Sequence, residues 1–243
     1  MHLETLTACP ICECTMLSPV TNGRAAGAIC GDCHTVFQNP RLDEASTREF
    51  YAGLYRDTVN VGNVNDQQDI DVQRARADFQ LHACWDYIEN ARTMLEIGCS
   101  LGYLMDKLSV TFDIDCVGIE PDRRYHAVDP ACNYRLYSDI HGMPIRKFDL
   151  VCMSHSLEHM REPLEYLSYL MDNYSHKDTR FMIEVPNYGL TPDTLNASHT
   201  FAFTEDTLNG MFARLGYKPL MMRKHYRNMA QLPVYLLGVY GRA

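Results

Sequence analysis

Residues 93–120 read TMLEIGCSLGYLMDKLSVTFDIDCVGIE, and the order of apolar runs within them decides the fold. TMLEIG (93–98) is a short apolar run closed by glycine, which fits a strand. YLMDKLSV (103–110) has helical spacing, and DCVGIE (115–120) is a second strand. Strand, helix and strand in such close succession make a βαβ unit, whose strands run parallel because the helix carries the chain back across the sheet. Outward from this unit the alternation continues. RYHAVDPAC (124–132) is helical or irregular, YRLYS (134–138) a short strand, FDLVCMS (148–154) a buried strand and REPLEYLSYLMDNY (161–174) a helix. RFMIEVP (180–186) is a further strand, and EDTLNGMFARLG (205–216) is an amphipathic helix stopped by Gly216. The last two apolar runs, KPLMMRKHYR and QLPVYLLGVYG, leave no space for a crossover helix between them and predict an antiparallel hairpin. The fold class is α/β, a mostly parallel sheet with helices on both faces.

Composition narrows the function. The chain has 243 residues, 46% hydrophobic and 22% charged, which excludes a disordered chain or a fibre. With 22 basic and 31 acidic residues the net charge is −9, so phosphate is repelled at long range and neither nucleic acid nor an anionic membrane is an expected partner. No apolar run approaches the ~18 residues of a membrane span, and MHLETLTACPICEC has no secretory signature. A cytoplasmic location is expected.

Ten cysteines stand out. Four form Cys9-x2-Cys12 and Cys30-x2-Cys33, a spacing that suits a zinc ribbon in which two knuckles close a tetrahedral shell of four thiolates around structural Zn2+. A redox CxxC would need a βαβ context, which residues 1–40 lack, and Cys14 is the alternative to Cys12 as a ligand. Cys84, Cys99, Cys116, Cys132 and Cys152 read as packing thiols. With only Arg24 and Arg41 as basic residues, the ribbon is not suited to nucleic acid. A helix follows at 42–55, capped by Asp43 or Ser46, then a polar linker at 57–70 and a helix at roughly 71–91 carrying Phe79, Trp85 and Ile88. The expected organisation is a zinc ribbon at 1–41, a helical arm and lid at 42–92, and the α/β domain at 93–243.

Ligands on such sheets bind outside the carboxyl ends of the strands. The first βα turn, Glu96-Ile97-Gly98-Cys99-Ser100-Leu101-Gly102, has G-x-x-x-G spacing, which disfavours the pyrophosphate cradle of dinucleotide sites. Glu120 ends the next strand, where an acceptor-only carboxylate can take both hydroxyls of a ribose. Asp139-Ile140 suits an adenine edge, with a carboxylate for the amino group and a backbone N–H for the ring.

With these residues the chain resembles the class I S-adenosylmethionine-dependent methyltransferases. LEIGCSLGYL is similar to their first motif, VGIEPD to the second and FDLVCMSHSLEHM to the fourth. The resemblance implies a Rossmann-like sheet of seven strands with an antiparallel C-terminal hairpin. It also implies S-adenosyl-L-methionine held by Glu96, Gly98, Cys99, Ser100, Gly102, Tyr103, Glu120, Pro121, Asp139, Ile140 and Ser154. IEVPN (183–187) and HTFAFTEDTLNGMFARLGY (199–217) resemble the branch that contains sugar and quinone methyltransferases. FQNPRLDEASTREFYAGLY (37–55), following the ribbon, resembles the arm preceding many such domains.

Methyl transfer to a hydroxyl needs positioning and a proton acceptor, for which imidazole is suited. His155, Glu158 and His159 follow the fourth strand, and His199 can enter from the loop after the fifth. The resemblance makes His159 the base, Glu158 its orienting partner and His155 a wall of the cofactor's methionine end. The bland reading of Glu158 and His159 is a helix N-terminal turn beside the dipole. The string His155-x-x-Glu158-His159 also matches an inverted zinc-protease motif, but that motif requires a helix and His155 follows a strand. Tyr55, Tyr188, Phe201 and Phe203 are candidates to line the acceptor pocket or to belong to the core; His2, His176 and His225 read as surface or packing residues. The expected acceptor is a small molecule, a hydroxyl of a sugar or nucleotide-sugar. Oxygen is favoured over carbon because the chain ends soon after the hairpin. The rivals are a quinone-like or other small metabolite as acceptor, and a non-catalytic module whose ribbon docks a protein. Apolar stretches in the hairpin are compatible with a homo-oligomer.

Overall fold

The computed structural model describes residues 1–21, 25–55, 67–126, 134–188, 195–196, 198–225 and 234–243. Arg24, Cys132, positions 57–66 of the expected linker and part of the loop after residue 188 lie outside them. The first strands are β1 (Leu3–Glu4), β2 (Leu17–Thr21), β3 (Ala26–Cys30), β4 (Val36–Gln38) and β5 (Arg41–Leu42). Helix α1 (Glu44–Glu49) runs on into a π-helical turn, Phe50–Leu54. Asp43 is its cap, accepting from the Ser46 amide at 2.8 Å. Helix α2 spans Gln67–Ile88, so the last positions of the expected linker are already helical.

The alternation that follows is β6 (Thr93–Ile97), α3 (Tyr103–Phe112), β7 (Asp115–Ile119), β8 (Arg135–Tyr137), β9 (Phe148–Ser154), α4 (Pro163–Tyr174) and β10 (Ser175–Pro186). It closes with β11 (Phe201–Ala202), α5 (Glu205–Arg214), β12 (Tyr217–His225) and β13 (Tyr235–Arg242). Seven strands form one sheet in the order β12-β13-β10-β9-β6-β7-β8. The pairs from β10 to β8 are parallel, while β13 is antiparallel to both its neighbours, as the two final apolar runs predict. Because β6 lies between β7 and β9, the chain reverses direction across the sheet there, and a crevice opens at the carboxyl ends of β6 and β9.

Alternate residues of each strand face opposite layers, and both faces are covered, which is why the strands read as continuous apolar runs. Met94, Leu150, Cys152 and Met182 pack with Leu81, Cys84, Ile88, Leu104 and Leu108 of α2 and α3. Leu95, Val151, Met153, Phe181 and Ile183 join the other layer, with Leu167, Leu170, Tyr174 and Phe212 of α4 and α5. Truncating a residue such as Phe181, which is fully buried, to alanine costs about 3–5 kcal/mol.

The cysteine-rich segment is woven into this layer. A second sheet has the order β11-β4-β3-β2, so a strand from beyond β10 completes the sheet of the N-terminal knuckles. Phe201 opposes Phe37, and Ala202 opposes Val36. Arg41 is buried rather than presented to solvent: it pairs with Glu4 at 2.8 Å and Glu162 at 2.5 Å and donates to the Arg161 carbonyl at 2.6 Å.

Candidate functional site

Backbone strain concentrates in the first βα turn. Gly98, Ser100 and Gly102 hold φ of 73°, 49° and 75°, and a Cβ on Gly98 would fall on the Ser156 hydroxyl. The Gly98 and Cys99 amides both donate to the Ile119 carbonyl, at 2.8 and 3.1 Å, tying the turn to the end of β7. Buried Glu120, followed by Pro121, braces the same corner, accepting from the Ser100 amide of the turn and the Asp122 amide at 3.0 Å each. As a carboxylate it is acceptor-only, the chemistry that a pair of ribose hydroxyls calls for. Cys99 is buried, its sulfur packed where a side chain on Gly118 would stand. Tyr103 opens α3 with the Arg74 guanidinium 5.7 Å from its ring centre. Asp139 accepts from the His141 amide at 2.7 Å and caps the short turn that contains buried Ile140. Ser154, at the end of β9, accepts from Gln80 Nε2 at 2.8 Å.

Glu96 is buried on β6, and its Oε2 has no hydrogen-bond partner among the described residues. Burial, with the Glu120 charge adding to it, pushes its carboxyl up to about 8. A buried acceptor without a donor is costly unless a ligand supplies one, and the ammonium of an amino acid is such a donor. The residues of this corner therefore fit the amino-acid and ribose parts of S-adenosylmethionine.

His155, Glu158 and His159 converge just beyond β9. His155 has φ of 52°, not a helical conformation, so the inverted protease motif lacks the helix it requires. Glu158 and His159 sit in a short 3-10 turn, Leu157–His159, ahead of α4, which removes the helix-dipole reading. The two histidines differ in state. His155 lies between two carboxylates, Nε2 at 3.0 Å from Glu184 Oε1 and Nδ1 at 3.2 Å from Glu158 Oε1. Burial and the Arg76 charge oppose its protonation, but the two carboxylates outweigh them and hold it above the ordinary histidine value. His159 Nδ1 faces the Ser198 carbonyl at 2.8 Å, and its Nε2 lies 3.5 Å from Tyr55 Oη and 4.0 Å from Glu158. Burial brings His159 down to about 4, against the attraction of Glu158. Burial opposes ionisation of Glu158, yet the histidines around it lower it to about 2, and neither of its oxygens is in a well-aligned hydrogen bond. His199 joins the cluster, its ring 4.9 Å from that of His159. Tyr51 donates to the Ser198 carbonyl at 2.7 Å beside them.

Other expectations change. Phe201 and Phe203 are core residues, buried and stacked on each other with centroids 5.9 Å apart, so they do not line a pocket. Tyr188 packs against Val36 and Leu195. Of the surface and packing readings of His225 the packing one holds: its ring stacks on Phe79 at 4.3 Å, and its Nε2 is 3.2 Å from Glu184. Glu184, within IEVPN, carries a signal of its own in the sequence: a carboxylate inside an otherwise apolar strand must find partners.

At the other end of the molecule the sulfurs of Cys9, Cys12, Cys30 and Cys33 all lie within 4.8 Å of one another. Cys9–Cys33 and Cys12–Cys30 are 3.6 and 3.4 Å apart, close to the about 3.8 Å that separates sulfurs around a tetrahedral zinc at ~2.3 Å. The two knuckles match. Ile11 N and Asp32 N each donate to a cysteine sulfur at 3.4 Å, and Glu13 and His34 take the same left-handed conformation four residues after the first cysteine. Cys14 stands outside the group and accepts from the Met16 amide. The four thiolates could hold zinc and leave it no open position.

The family model described as a methyltransferase domain matches residues 70–221, more than half of the chain. No curated protein matches it. Among solved structures, the 1,6-didemethyltoxoflavin-N1-methyltransferase of Burkholderia thailandensis, with bound 1,6-didemethyltoxoflavin and S-adenosylhomocysteine, is 16% identical at a TM-score of 0.61. That match covers 93% of this chain and 99% of the other. The magnesium protoporphyrin IX methyltransferase of Synechocystis PCC 6803, with bound S-adenosylhomocysteine, is 13% identical at a TM-score of 0.59, covering 83% and 100%. The plantazolicin methyltransferase BpumL is 13% identical at 0.61, covering 81% and 95%. These likenesses are of fold.

Proposed function

This chain belongs to the methyltransferase-domain family, and from that premise we propose that it transfers the methyl group of S-adenosylmethionine to a small-molecule hydroxyl, that of a sugar or nucleotide-sugar. The observation that carries the reading is the geometry of His159: a half-buried imidazole whose Nδ1 donates to the Ser198 carbonyl, which leaves the Nε2 lone pair towards the cluster beyond β9. When bound, the cofactor supplies an electrophilic methyl on a sulfonium. The chain supplies the rest. Gly98 and Gly102 allow close backbone approach, Glu120 accepts from ribose hydroxyls, Asp139 and Ile140 meet the adenine edge, and Glu96 meets the ammonium. His159 Nε2 takes the proton of the acceptor hydroxyl as oxygen attacks, and Glu158, ionised and 4.0 Å away, stabilises the imidazolium that results. In this reading residues 1–41 are a structural zinc ribbon, 42–92 an arm that brings Tyr51 and Tyr55 to the acceptor side, and 93–243 the cofactor-binding domain.

A second acceptor class is supported by those tyrosines, whose rings meet His159 edge-on at 6.0 and 5.4 Å. A planar phenol or heterocycle packs well on such edges. Relatives of the same fold act on planar rings, as the toxoflavin precursor and magnesium protoporphyrin IX illustrate.

The test is calorimetric titration of S-adenosylhomocysteine into the purified protein beside Glu120→Ala, followed by an acceptor screen with nucleotide-sugars and phenols. Micromolar binding that collapses in the variant supports the donor site. No binding to folded wild type overturns it and favours a docking module.

A further inference from the structure

Glu184 is fully buried at the carboxyl end of β10, where it opposes Ser154 of β9. Donors from three other parts of the fold meet its two oxygens. From α2, Arg76 Nε lies 3.2 Å from Oε1, and Gln80 Nε2 donates to Oε2 at 3.0 Å while also donating to Ser154. His155 Nε2 donates to Oε1 at 3.0 Å, and His225 Nε2 of β12 lies 3.2 Å from Oε2. The other ring nitrogen of His155 faces Glu158 at 3.2 Å. Both nitrogens thus face carboxylate oxygens, Glu184 in a hydrogen bond and Glu158 at ion-pair distance, and the two negative charges favour a proton on each. Two carboxylates, Glu184 and Glu158, are then balanced by two cations, His155 and Arg76. Tyr235 of β13 stands edge-on to the His155 ring at 4.8 Å and carries the Arg76 guanidinium 5.4 Å from its ring centre, Cys84 of α2 feels the charges of Glu184 and of Arg223 on β12, and His159 and His199 act on Glu158 from the other side.

We propose that Glu184 is a positioning residue of the transfer reaction: it locks His155 as a fixed cation, and His155 in turn keeps Glu158 ionised and directed at His159. On this proposal His155 is not the base, because a doubly protonated ring has no lone pair to offer. The inference rests on the reading of His159 as proton acceptor only in its last step.

The experiment reads the ring directly. Long-range ¹H–¹⁵N spectra of the wild-type protein, with the His155 signals assigned by their loss in His155→Asn, report the protonation of both nitrogens without cofactor or acceptor. At pH 6.5, where an ordinary histidine is half charged, both should be protonated in most molecules, and in Glu184→Gln the His155 titration should fall by about one unit or more, with Glu184→Asp restoring part of it. With an acceptor in hand, Glu184→Gln should lower kcat about 10–100-fold and leave the KM for the methyl donor unchanged. A His155 that is mostly neutral at pH 6.5 in wild type overturns the proposal even if Glu184→Gln does not fold. So does an unmoved titration in a folded Glu184→Gln. Failure of S-adenosylhomocysteine to bind would sink the donor site instead, and leaves the ring measurement valid.

Discussion

The ring Nδ1 of His159 and the carbonyl oxygen of Ser198 are 2.8 Å apart, and since a carbonyl can only accept, Nδ1 carries the proton. The opposite nitrogen, Nε2, is left as a lone pair. His159→Asn keeps a donor near the Nδ1 position and removes Nε2. We expect turnover to drop by about 10²–10⁴-fold while the affinity for S-adenosylhomocysteine is kept. Steady-state rates beside calorimetry check this; a variant with near-native kcat would assign the proton to another group.

The same residue gives the stability a direction with pH. His159 is near 4 when folded and 6.5 as a free side chain, so the unfolded chain binds more protons between these values. Stability is therefore present above pH ~6.5 and is lost as pH falls towards ~4. Glu158, lowered to about 2 from 4.5, extends the loss to still lower pH. Urea midpoints at pH 7, 5.5 and 4.5 should fall in wild type, with a shallower slope in His159→Asn. Parallel slopes would mean that His159 does not titrate as described.

Glu96 makes ligand binding proton-linked. With its carboxyl near 8, most of the free protein holds it neutral at pH 7, and an ammonium placed beside its unmatched oxygen favours the ionised form. Binding of S-adenosylhomocysteine should release a proton and tighten as pH rises towards 8. Titrations in two buffers of different ionisation enthalpy measure the release, and Glu96→Gln should abolish it. Equal heats in both buffers would place the ammonium elsewhere.

Stripping the four-cysteine site should be felt at the acceptor side. Gln38 of β4 donates its amide to the Thr200 carbonyl at 2.8 Å, and the Thr200 amide donates to the Glu158 carbonyl at 2.8 Å. Chelated protein, or Cys12→Ala, should exchange amide hydrogens faster at 198–203 and lose turnover, while β6 and β7 stay protected and the donor product still binds. Fast exchange confined to residues 1–36 would show the two sites to be independent.

Local grammar carried the sheet. The order of runs from Thr93 to Arg242 predicts the strands and the antiparallel end, because both-sided burial leaves long apolar runs and the turns are marked by glycine. The site was legible only where one segment holds all its parts, as in Gly98–Gly102 or the pair of CxxC knuckles. His155, Glu158 and His159 were visible as a string, but their different protonation states depend on Glu184, 29 residues from His155, and Ser198, 39 residues from His159. The pairing of β11 with β4 joins residues far apart in sequence, and a two-residue strand has no pattern of its own. Phe201 and Phe203 were ambiguous for the same reason: aromatic residues serve cores and pockets alike until their neighbours are known.

The strand shared between the cysteine-rich arm and the segment after β10 bears on how such a protein can be taken apart. An arm that folded on its own could be cut off or grafted onto another enzyme as a cassette. Here excision would strip the partner edge from Phe201 and Ala202, open the seam between Phe37 and Phe201, and strand the buried guanidinium's counter-charges at Glu4 and Glu162 on opposite pieces. The arm and the catalytic body are interlocked, so exchange between homologues has to move the 195–203 segment together with the knuckles.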